Sequence, residues 1–481
     1  MSKYLLSCHS NSNFAFYMES NNQIHFEISE RKILLKLFDI IVIFISLYLE
    51  GLIFNMQYFL NFFTQISYVF VLLSYILGYG AIFEMYNLQV ASNFNQITKS
   101  VLMTSFAIVI SYLFTPIYSP SLPNNRIYIL LFLFTVLFSL LSWRMFYLYL
   151  FTKQKFKKKV VLICDPEQLE ELVLGLEQAD PHTKVKAYLN TDTENPFQFN
   201  LNGIKNLKLD DLKSFLIERN ISEIVIDVKK TEMITFELYK ELLEILQNQY
   251  PIKEYTQLYE NISQRIPVQY LSRDFYRYFP FSFNNQNRLY LFYIKIFDLS
   301  ISIIGIILFS SLIPFIYIIN LFANKGPLFY SQERVGKNGK LFKIFKLRSM
   351  VTNAEKHGAV FAASNDARIT PFGKILRKTR LDELPQFFNI LIGDMSVIGP
   401  RPERQVFVDQ IIEIMPFYST RHIIKPGLTG WAQVNYSYGD KLEDSLVKLQ
   451  YDLYYIKHRS IYLDINIILK TLSTVLYYRG Q

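Results

Sequence analysis

The sequence predicts a membrane protein of mixed α and α/β class. Its N-terminal bundle of four transmembrane helices is followed by an α/β domain with a parallel sheet and then by a C-terminal membrane-associated domain with a re-entrant helix. Three observations carry that expectation. Of 481 residues, 51% are hydrophobic, 16% aromatic and only 19% charged, against roughly a quarter charged in an ordinary soluble domain. The apolar residues gather in five long stretches, each near or beyond the roughly 20 residues a helix needs to cross a bilayer. Between the fourth and fifth, short buried-strand runs alternate with helical spacing. Forty-two Phe and 34 Tyr beside 17 Gly and 17 Pro exclude a collagen or disordered chain. Cys8 and Cys164 provide neither a disulfide framework nor paired zinc ligands. Lys plus Arg exceed Asp plus Glu by 50 − 41 = 9, which favours contact with phosphates, nucleic acid or lipid headgroups.

Residues 1–30 read as a polar cytoplasmic segment, without the apolar core and small-residue cleavage site of a removed signal peptide. Four apolar stretches fill 31–152: Ile33 to Phe54, Tyr58 to Ile82, Val101 to Tyr118 and Ile127 to Leu150. The first carries Lys36, Asp39 and Glu50, charges near the ends that can reach the interface. Arg31, Lys32 and Lys36 before the first stretch and Lys153, Lys155, Lys157, Lys158 and Lys159 after the fourth place both ends on the cytoplasmic side. The connection Ser119 to Asn125 is then an external turn.

Residues 158–250 have the texture of a soluble α/β unit. Val160 to Cys164 is a strand, Pro166 to Ala179 a helix, Ile221 to Val228 a strand and Phe236 to Gln249 a helix, and such alternation implies a parallel sheet. The first strand-to-helix turn, Cys164-Asp165-Pro166-Glu167-Gln168, lacks the glycines that admit a pyrophosphate. A spacer, dimer contact or regulator suits this domain better than dinucleotide binding. Residues 251–288 have no sustained period and read as a linker.

The fifth stretch, Leu291 to Phe322 within a last domain of 289–481, is long enough to cross. Lys295 and Asp298 sit early in it, and Ser310, Ser311 and Pro314 interrupt its middle, where proline removes a backbone donor. The basic remainder is built to handle phosphates, and nucleotide-activated substrates and divalent metal are cytoplasmic resources. We therefore expect the helix, residues 291–322, to bend at Ser311 and Pro314 and return to the same face.

Beyond the bend, Gly336-Lys337-Asn338-Gly339 is a hairpin signal, flanked by strands bearing Arg334, Lys337, Lys340, Lys343, Lys346 and Arg348. These cations suit lipid headgroups, substrate phosphate or a solvated edge. Thr370-Pro371 opens a helix that brings Lys374, Arg377, Lys378 and Arg380 to Asp382-Glu383. While that helix persists, a cation shares a face with Asp382 and favours its ionised form. An ionised, oriented carboxylate can attack phosphorus once nearby cations and a divalent metal relieve the repulsion between anions. Arg401, stiffened by Pro400 and Pro402, suits a phosphate or a salt bridge to Asp394 or Glu403. Trp431 either packs or covers a nucleobase, and packing is favoured. Ser445 to Ile456 and Ile461 to Tyr478 are amphipathic helices, with tyrosines 451, 454 and 455 at a membrane boundary or folded back on the domain.

These motifs resemble a known family. From about Tyr290 to Gln481 the chain is similar to the bacterial sugar transferase domain of polyprenyl-phosphate glycosyl-1-phosphate transferases. The resemblance rests on Ile296-Phe297-Asp298, Gly326 to Gly336, Phe345 to Met350, Leu381-Asp382-Glu383-Leu384-Pro385-Gln386, Gly393 to Ser396, Gly399-Pro400-Arg401-Pro402 and Pro426 to Val434. The whole chain resembles the large branch, in which four transmembrane helices and a Rossmann-like domain precede the catalytic module, as in undecaprenyl-phosphate glucose or galactose phosphotransferases. The resemblance implies an Asp matching Asp382 that attacks the sugar-bearing phosphate of a UDP-sugar and releases UMP. Polyprenyl phosphate then takes the phosphosugar from the aspartyl intermediate. It implies Mg2+ held by Asp382 and Glu383; phosphate contacts from Lys346, Arg348, Arg377, Arg380 and Arg401; a re-entrant helix; and a cytoplasmic-face catalytic domain on the bacterial plasma membrane, initiating exopolysaccharide, capsule or O-antigen synthesis. Relatives often place Ser and Pro adjacent at the membrane break, where this chain separates Ser311 from Pro314. Small relatives continue the Trp-Ala-Gln-Val-Asn motif with Gly-Arg, where this chain has Tyr436-Ser437.

Two other functions fit the residues: a membrane-tethered nucleotide-sugar dehydratase or epimerase using the middle domain, and a non-enzymatic scaffold for glycan assembly. Nucleic-acid binding lacks a motif, and self-association is compatible with every reading.

Overall fold

The computed structural model describes residues 28–60, 65–151, 158–191, 203–227, 234–268, 287–354, 366–436 and 442–476, less 116, 121, 122, 124, 181, 249, 325 and 353. Residues 1–27, including Cys8, lie outside them, as do Lys153, Lys155 and Lys157. The chain divides into two compact units, Met1–Gln264 and Arg265–Gln481.

The first unit opens with helices α1 (Ile28–Ile53), α2 (Ile66–Ile82), α3 (Phe94–Leu113) and α4 (Ile127–Phe151) around one apolar core that includes Leu35, Ile43, Leu72, Ile108 and Phe132. The boundaries differ from those expected. The stretch from Tyr58 divides into a short turn, Gln57–Leu60, and α2. Helix α3 starts seven residues early because the Asn93 side chain accepts from the Asn95 and Gln96 amides, a cap that draws a polar turn into the helix. Among the described residues, three helices are long and apolar enough to cross a membrane: Phe94–Leu113, Ile127–Leu150 and Arg288–Ala323. That composition fits a membrane protein.

The charges that looked awkward in α1 have partners. Asp39 pairs with Arg144 of α4, both fully buried, and Glu50 accepts from Thr135. Lys36 and Arg144 lie over the Tyr86 ring at 5.4 and 5.7 Å. Arg31 pairs with Asp180 at 3.2 Å.

The α/β part is one parallel five-stranded sheet. Its strands are β1 (Lys158–Cys164), β2 (Thr183–Asn190), β3 (Lys205–Leu207), β4 (Glu223–Asp227) and β5 (Ile252–Glu254), in the order β3-β2-β1-β4-β5. Helices α5 (Leu169–Ala179), α6 (Leu212–Glu218), α7 (Phe236–Gln247) and α8 (Tyr255–Ser263) intervene or follow. The segment read as linker therefore supplies a strand and a helix, since Tyr255, Leu258 and Tyr259 bury on one face of α8. Asp165, at the switch point where a nucleotide would bind, is buried and accepts from Thr191 at 2.8 Å.

The second unit begins its long helix, α9 (Arg288–Ala323), at an Asn287 cap. The chain stays helical through Pro314. The Ser311 hydroxyl donates to the Leu308 carbonyl at 2.7 Å, so it does not serve the Ser310 carbonyl that proline leaves without its usual donor. One face of α9 packs on the rest of the unit along its whole length. Tyr290 donates to Asp464 at 2.9 Å, Asp298 accepts from Ser396 and the Val397 amide at 2.9 and 2.8 Å, and Asn320 donates to the Gly326 carbonyl at 3.2 Å. Gly305 is required because a Cβ there would overlap the Phe387 ring. The other face exposes Phe292, Ile304, Ile307, Phe315 and Phe322.

The remaining elements are β6 (Phe329–Val335), β7 (Leu341–Leu347), α10 (Pro371–Lys378), α11 (Gln386–Ile392), β8 (Ser396–Ile398), α12 (Gln405–Ile414), β9 (Gly427–Thr429), α13 (Trp431–Asn435), α14 (Leu442–His458) and α15 (Ile461–Leu476). Strands β6 and β7 form the expected antiparallel hairpin, with Val335 opposite Leu341, and its turn places Asn338 and Gly339 at φ 57 and 76. Tyr454 stacks on Trp431, and Tyr455 donates to Asp464 at 2.8 Å, so both face the domain.

Replacing Asp39 by Leu strands the Arg144 charge in the core, and we expect it to destabilise the bundle by about 3–5 kcal/mol. The double replacement Asp39→Leu/Arg144→Leu should cost far less. Thermal unfolding of the detergent-solubilised chain compares them, and equal losses would contradict this account of the pair.

Candidate active site

The site forms where α10 ends. The Thr370 hydroxyl accepts from the Gly373 amide at 2.9 Å and caps the helix at the expected residue. Gly373 is needed because a Cβ would overlap the Ser349 carbonyl, the closest approach of α10 to the end of the hairpin. The helix does not persist to the acids. It ends at Lys378, and Arg380 turns the chain through a left-handed conformation at φ 55, which lifts Leu381–Glu383 into a separate turn. Lys378 therefore does not share a helical face with Asp382. The cations that act on Asp382 are Lys346, Arg377 and Arg401, which come from three elements.

Both carboxylates are 8% exposed, and they are not equivalent. Glu383 takes the ion pairs: Arg401 Nη2 to Oε1 at 2.9 Å, Arg380 Nη1 to Oε2 at 3.2 Å and Lys346 Nζ to Oε1 at 3.9 Å. Burial opposes its ionisation, yet Arg401, Lys346 and Arg380 hold it well below the usual carboxylate range. Asp382 takes no hydrogen bond or ion pair from the described residues. Burial, with the charge of Glu383 beside it, pushes Asp382 up to about 6. Adjacent acids held at opposite ends of the scale are the arrangement in which one stays fixed and the other is poised to react.

The cations are prepared rather than merely close. Arg377 Nε donates to the Ser349 hydroxyl at 2.9 Å, and its terminal nitrogens make no hydrogen bond among the described residues. Burial, with the Arg401 charge, lowers Lys346 to about 8. Asn389 holds the hairpin in register with the site, accepting from the Phe345 amide at 3.0 Å and donating to the Lys343 carbonyl at 2.7 Å. With Lys346, Arg377, Arg380 and Arg401 against Asp382 and Glu383, the site carries 4 − 2 = +2, which suits a doubly anionic group.

Arg348 is placed differently. Its Nε donates to the Pro327 carbonyl at 2.7 Å, its Nη1 to Met350 at 3.3 Å and its Nη2 to Asn324, so it ties the end of α9 to the hairpin. Arg401 pairs with neither of the partners the sequence suggested; Glu403 pairs instead with Arg334 at 3.4 Å. Trp431 is buried under Lys470 at 4.6 Å and cannot cover a base. Ser349 and Asn389 escaped sequence reading, because neither residue type announces a tie to a distant arginine or strand.

Among the described residues no group of three His, Cys, Asp or Glu side chains gathers as a metal site. Two adjacent carboxylates still fit Mg2+, which commonly takes one or two protein carboxylates and completes its shell with phosphate oxygens and water. Asp382 has its acceptors in hand, and Glu383 keeps spare lone pairs beside its cations.

The model of the bacterial sugar transferase family matches residues 289–478. The chain is 42% identical over 226 residues to a UDP-N-acetylgalactosamine-undecaprenyl-phosphate N-acetylgalactosaminephosphotransferase of Aeromonas hydrophila, covering 47% of this chain and 52% of that protein. It is 41% identical over 187 residues to a UDP-glucose:undecaprenyl-phosphate glucose-1-phosphate transferase of Klebsiella pneumoniae, covering 38% and 40%. It is 36% identical over 188 residues to the exopolysaccharide production protein PSS of Rhizobium leguminosarum bv. phaseoli, covering 38% of this chain and 94% of that protein. The chain thus spans about half or less of the first two relatives and nearly all of the third.

Any activity that needs ionised Asp382 should fall as pH drops through about 6. Replacing Glu383 by Gln removes the neighbouring negative charge, so the acid limb of kcat/KM should move to lower pH. A limb that stays in place or moves up would show that Glu383 does not set it.

Proposed function

The chain belongs to the bacterial sugar transferase family, and from that premise we propose that it moves a sugar-1-phosphate from a UDP-sugar to polyprenyl phosphate. The observation that carries the proposal is the division of labour between two adjacent buried acids: Glu383 holds the cations, and Asp382 takes no hydrogen bond or ion pair from the described residues.

The chemistry runs in two displacements. An Asp382 oxygen attacks the sugar-bearing phosphorus; the bond to the bridging oxygen breaks, and UMP leaves with the electron pair. A phosphate oxygen of the polyprenyl acceptor then attacks the same phosphorus, and the carboxylate departs. Two steps through a protein nucleophile replace one direct encounter of two anionic substrates. Arg377, tethered by Nε, offers its terminal nitrogens to the transferring phosphate. Arg401 and Lys346 balance charge at Glu383 and add donors as negative charge builds. Arg380 keeps Glu383 oriented. Mg2+, held at Asp382 and Glu383, would supply neutralisation of the diphosphate. Arg348 acts one step back, fixing the hairpin that carries Lys346.

Helix α9 suits a domain that stays on one membrane face. Near its two ends, Tyr290 bonds Asp464 and Asn320 bonds Gly326, while Phe309 meets Phe329 and Phe388 edge-on between them. A helix that crossed would carry its ends to opposite sides of a core about 30 Å thick. We therefore read α9 as dipping into the cytoplasmic leaflet near Ser311 and Pro314, and we read the first unit, taken by itself, as four spanning helices and a Rossmann-like domain. The likeness to an exopolysaccharide production protein supports a role in initiating a surface glycan.

Membranes given a panel of UDP-sugars, Mg2+ and polyprenyl phosphate should release UMP. Replacing Asp382 by Asn should cut release to about a thousandth or less, and chelation should abolish it until Mg2+ is restored. Enzyme trapped with donor alone should gain one phosphosugar mass at Asp382; normal turnover without that adduct would sink the covalent route. For topology, in a Cys8→Ser background, an impermeant thiol reagent applied to intact cells should label Asn125→Cys and spare Lys337→Cys. Labelling at 337 would mean that α9 crosses.

A further inference from the structure

The loop that presents Arg401 is held by its acceptors. Pro400 and Pro402 have no N–H to give, and each successive carbonyl is taken by a donor from elsewhere. Pro400 accepts from the Gly427 amide at 2.9 Å, Arg401 from Arg421 Nη2 at 2.9 Å, Pro402 from Arg334 Nη1 at 3.3 Å and Glu403 from the Val335 amide at 2.9 Å. The carbonyl of Arg401 itself thus depends on a side chain.

That side chain is deeply buried, at 4% exposure. Its Nη2 also bonds Asp452 Oδ2 on α14 at 2.8 Å, its Nη1 donates to the Tyr418 hydroxyl, and the guanidinium lies 4.8 Å from the Tyr418 ring centroid. Asp452 is 2% exposed. A buried ion pair is often no more stabilising than a well-packed apolar pair of the same volume. Stability alone therefore does not account for Arg421 and Asp452, and the donor aimed at the main chain behind an active-site arginine does.

We propose that Arg421, oriented by Asp452 and Tyr418, is a positioning residue for phosphoryl transfer, fixing the Arg401 main chain and through it the Arg401–Glu383 contact. The inference rests on the transferase reading above. Neither Arg421 nor Asp452 touches substrate; both act through Arg401. Displacing a positioned group by about 1 Å can cost up to about a hundredfold in rate, which leaves room for a measurable effect from a residue outside the site.

A double-mutant cycle on the full-length chain in membranes tests this, with UMP release normalised to folded enzyme. Lysine has one compact ammonium and cannot hold Asp452, Tyr418 and the Arg401 carbonyl together as a planar fork does. Arg421→Lys should lower kcat on the order of tenfold in the native background and less than about twofold beside Arg401→Gln, because its effect passes through Arg401. Asp452→Asn, which keeps the side-chain shape, should show the same non-additivity at smaller size and carries the cycle if Arg421→Lys does not fold. Equal losses in both backgrounds, or no loss in the native one, would overturn the inference. Absence of UMP release from the unmodified chain would instead overturn the transferase reading on which it stands.

Discussion

Two neighbouring carboxylates buried side by side are the constraint on which the second unit turns. Neither can stay ionised in that setting without cations, and two that share cations equally would be chemically alike. The chain separates them by geometry. The left-handed turn at Arg380 ends α10 before the acids, so that Glu383 meets Arg380, Arg401 and Lys346 while Asp382 pairs with none of the described residues. Three elements far apart in sequence, β7, α10 and the Pro400–Pro402 loop, must be in place together for that asymmetry to exist. The hairpin, the ties of Asn389 and the anchoring of Arg348 all serve that placement.

Much of this was legible in the sequence where a local rule applied. Thr370-Pro371 announced a capped helix, Asn338-Gly339 a hairpin turn, and the residues around Asp382 and Glu383 a cluster of cations at two acids. What escaped was tertiary in origin. Nothing near Arg380 signals a left-handed residue, since arginine seldom adopts that conformation, and helical spacing suggested that a cation of the preceding helix would share a face with Asp382, whereas Lys346 reaches it from β7. Which acid takes the ion pairs depends on the approach of Arg401, eighteen residues on. The tie from Ser349 to Arg377 likewise joins residues that are distant in sequence.

The first unit shows the same division. Buried runs at β1 and β4 read directly as strands, and the missing glycines after β1 agree with a buried Asp165 at the switch point. The strand β2, Thr183–Asn190, alternates polar and apolar residues only from Lys184 to Ala187, too short a run to mark a strand. The segment after Tyr250 reads as a linker in sequence because three strand residues and nine helical ones are too few to show a period. The Asn93 cap moved α3 toward its N-terminus, a reminder that hydropathy finds the middle of an apolar helix and capping residues fix its ends.

The pairing of Asp39 with Arg144 bears on how such a chain is made. The two residues are 105 positions apart, and each would be costly in hydrocarbon without the other. If both helices span the bilayer, α1 cannot settle into lipid as soon as it leaves the ribosome. Its acidic residue would then gain its partner only once α4 has been synthesised, and integration of the two helices would be concerted rather than sequential.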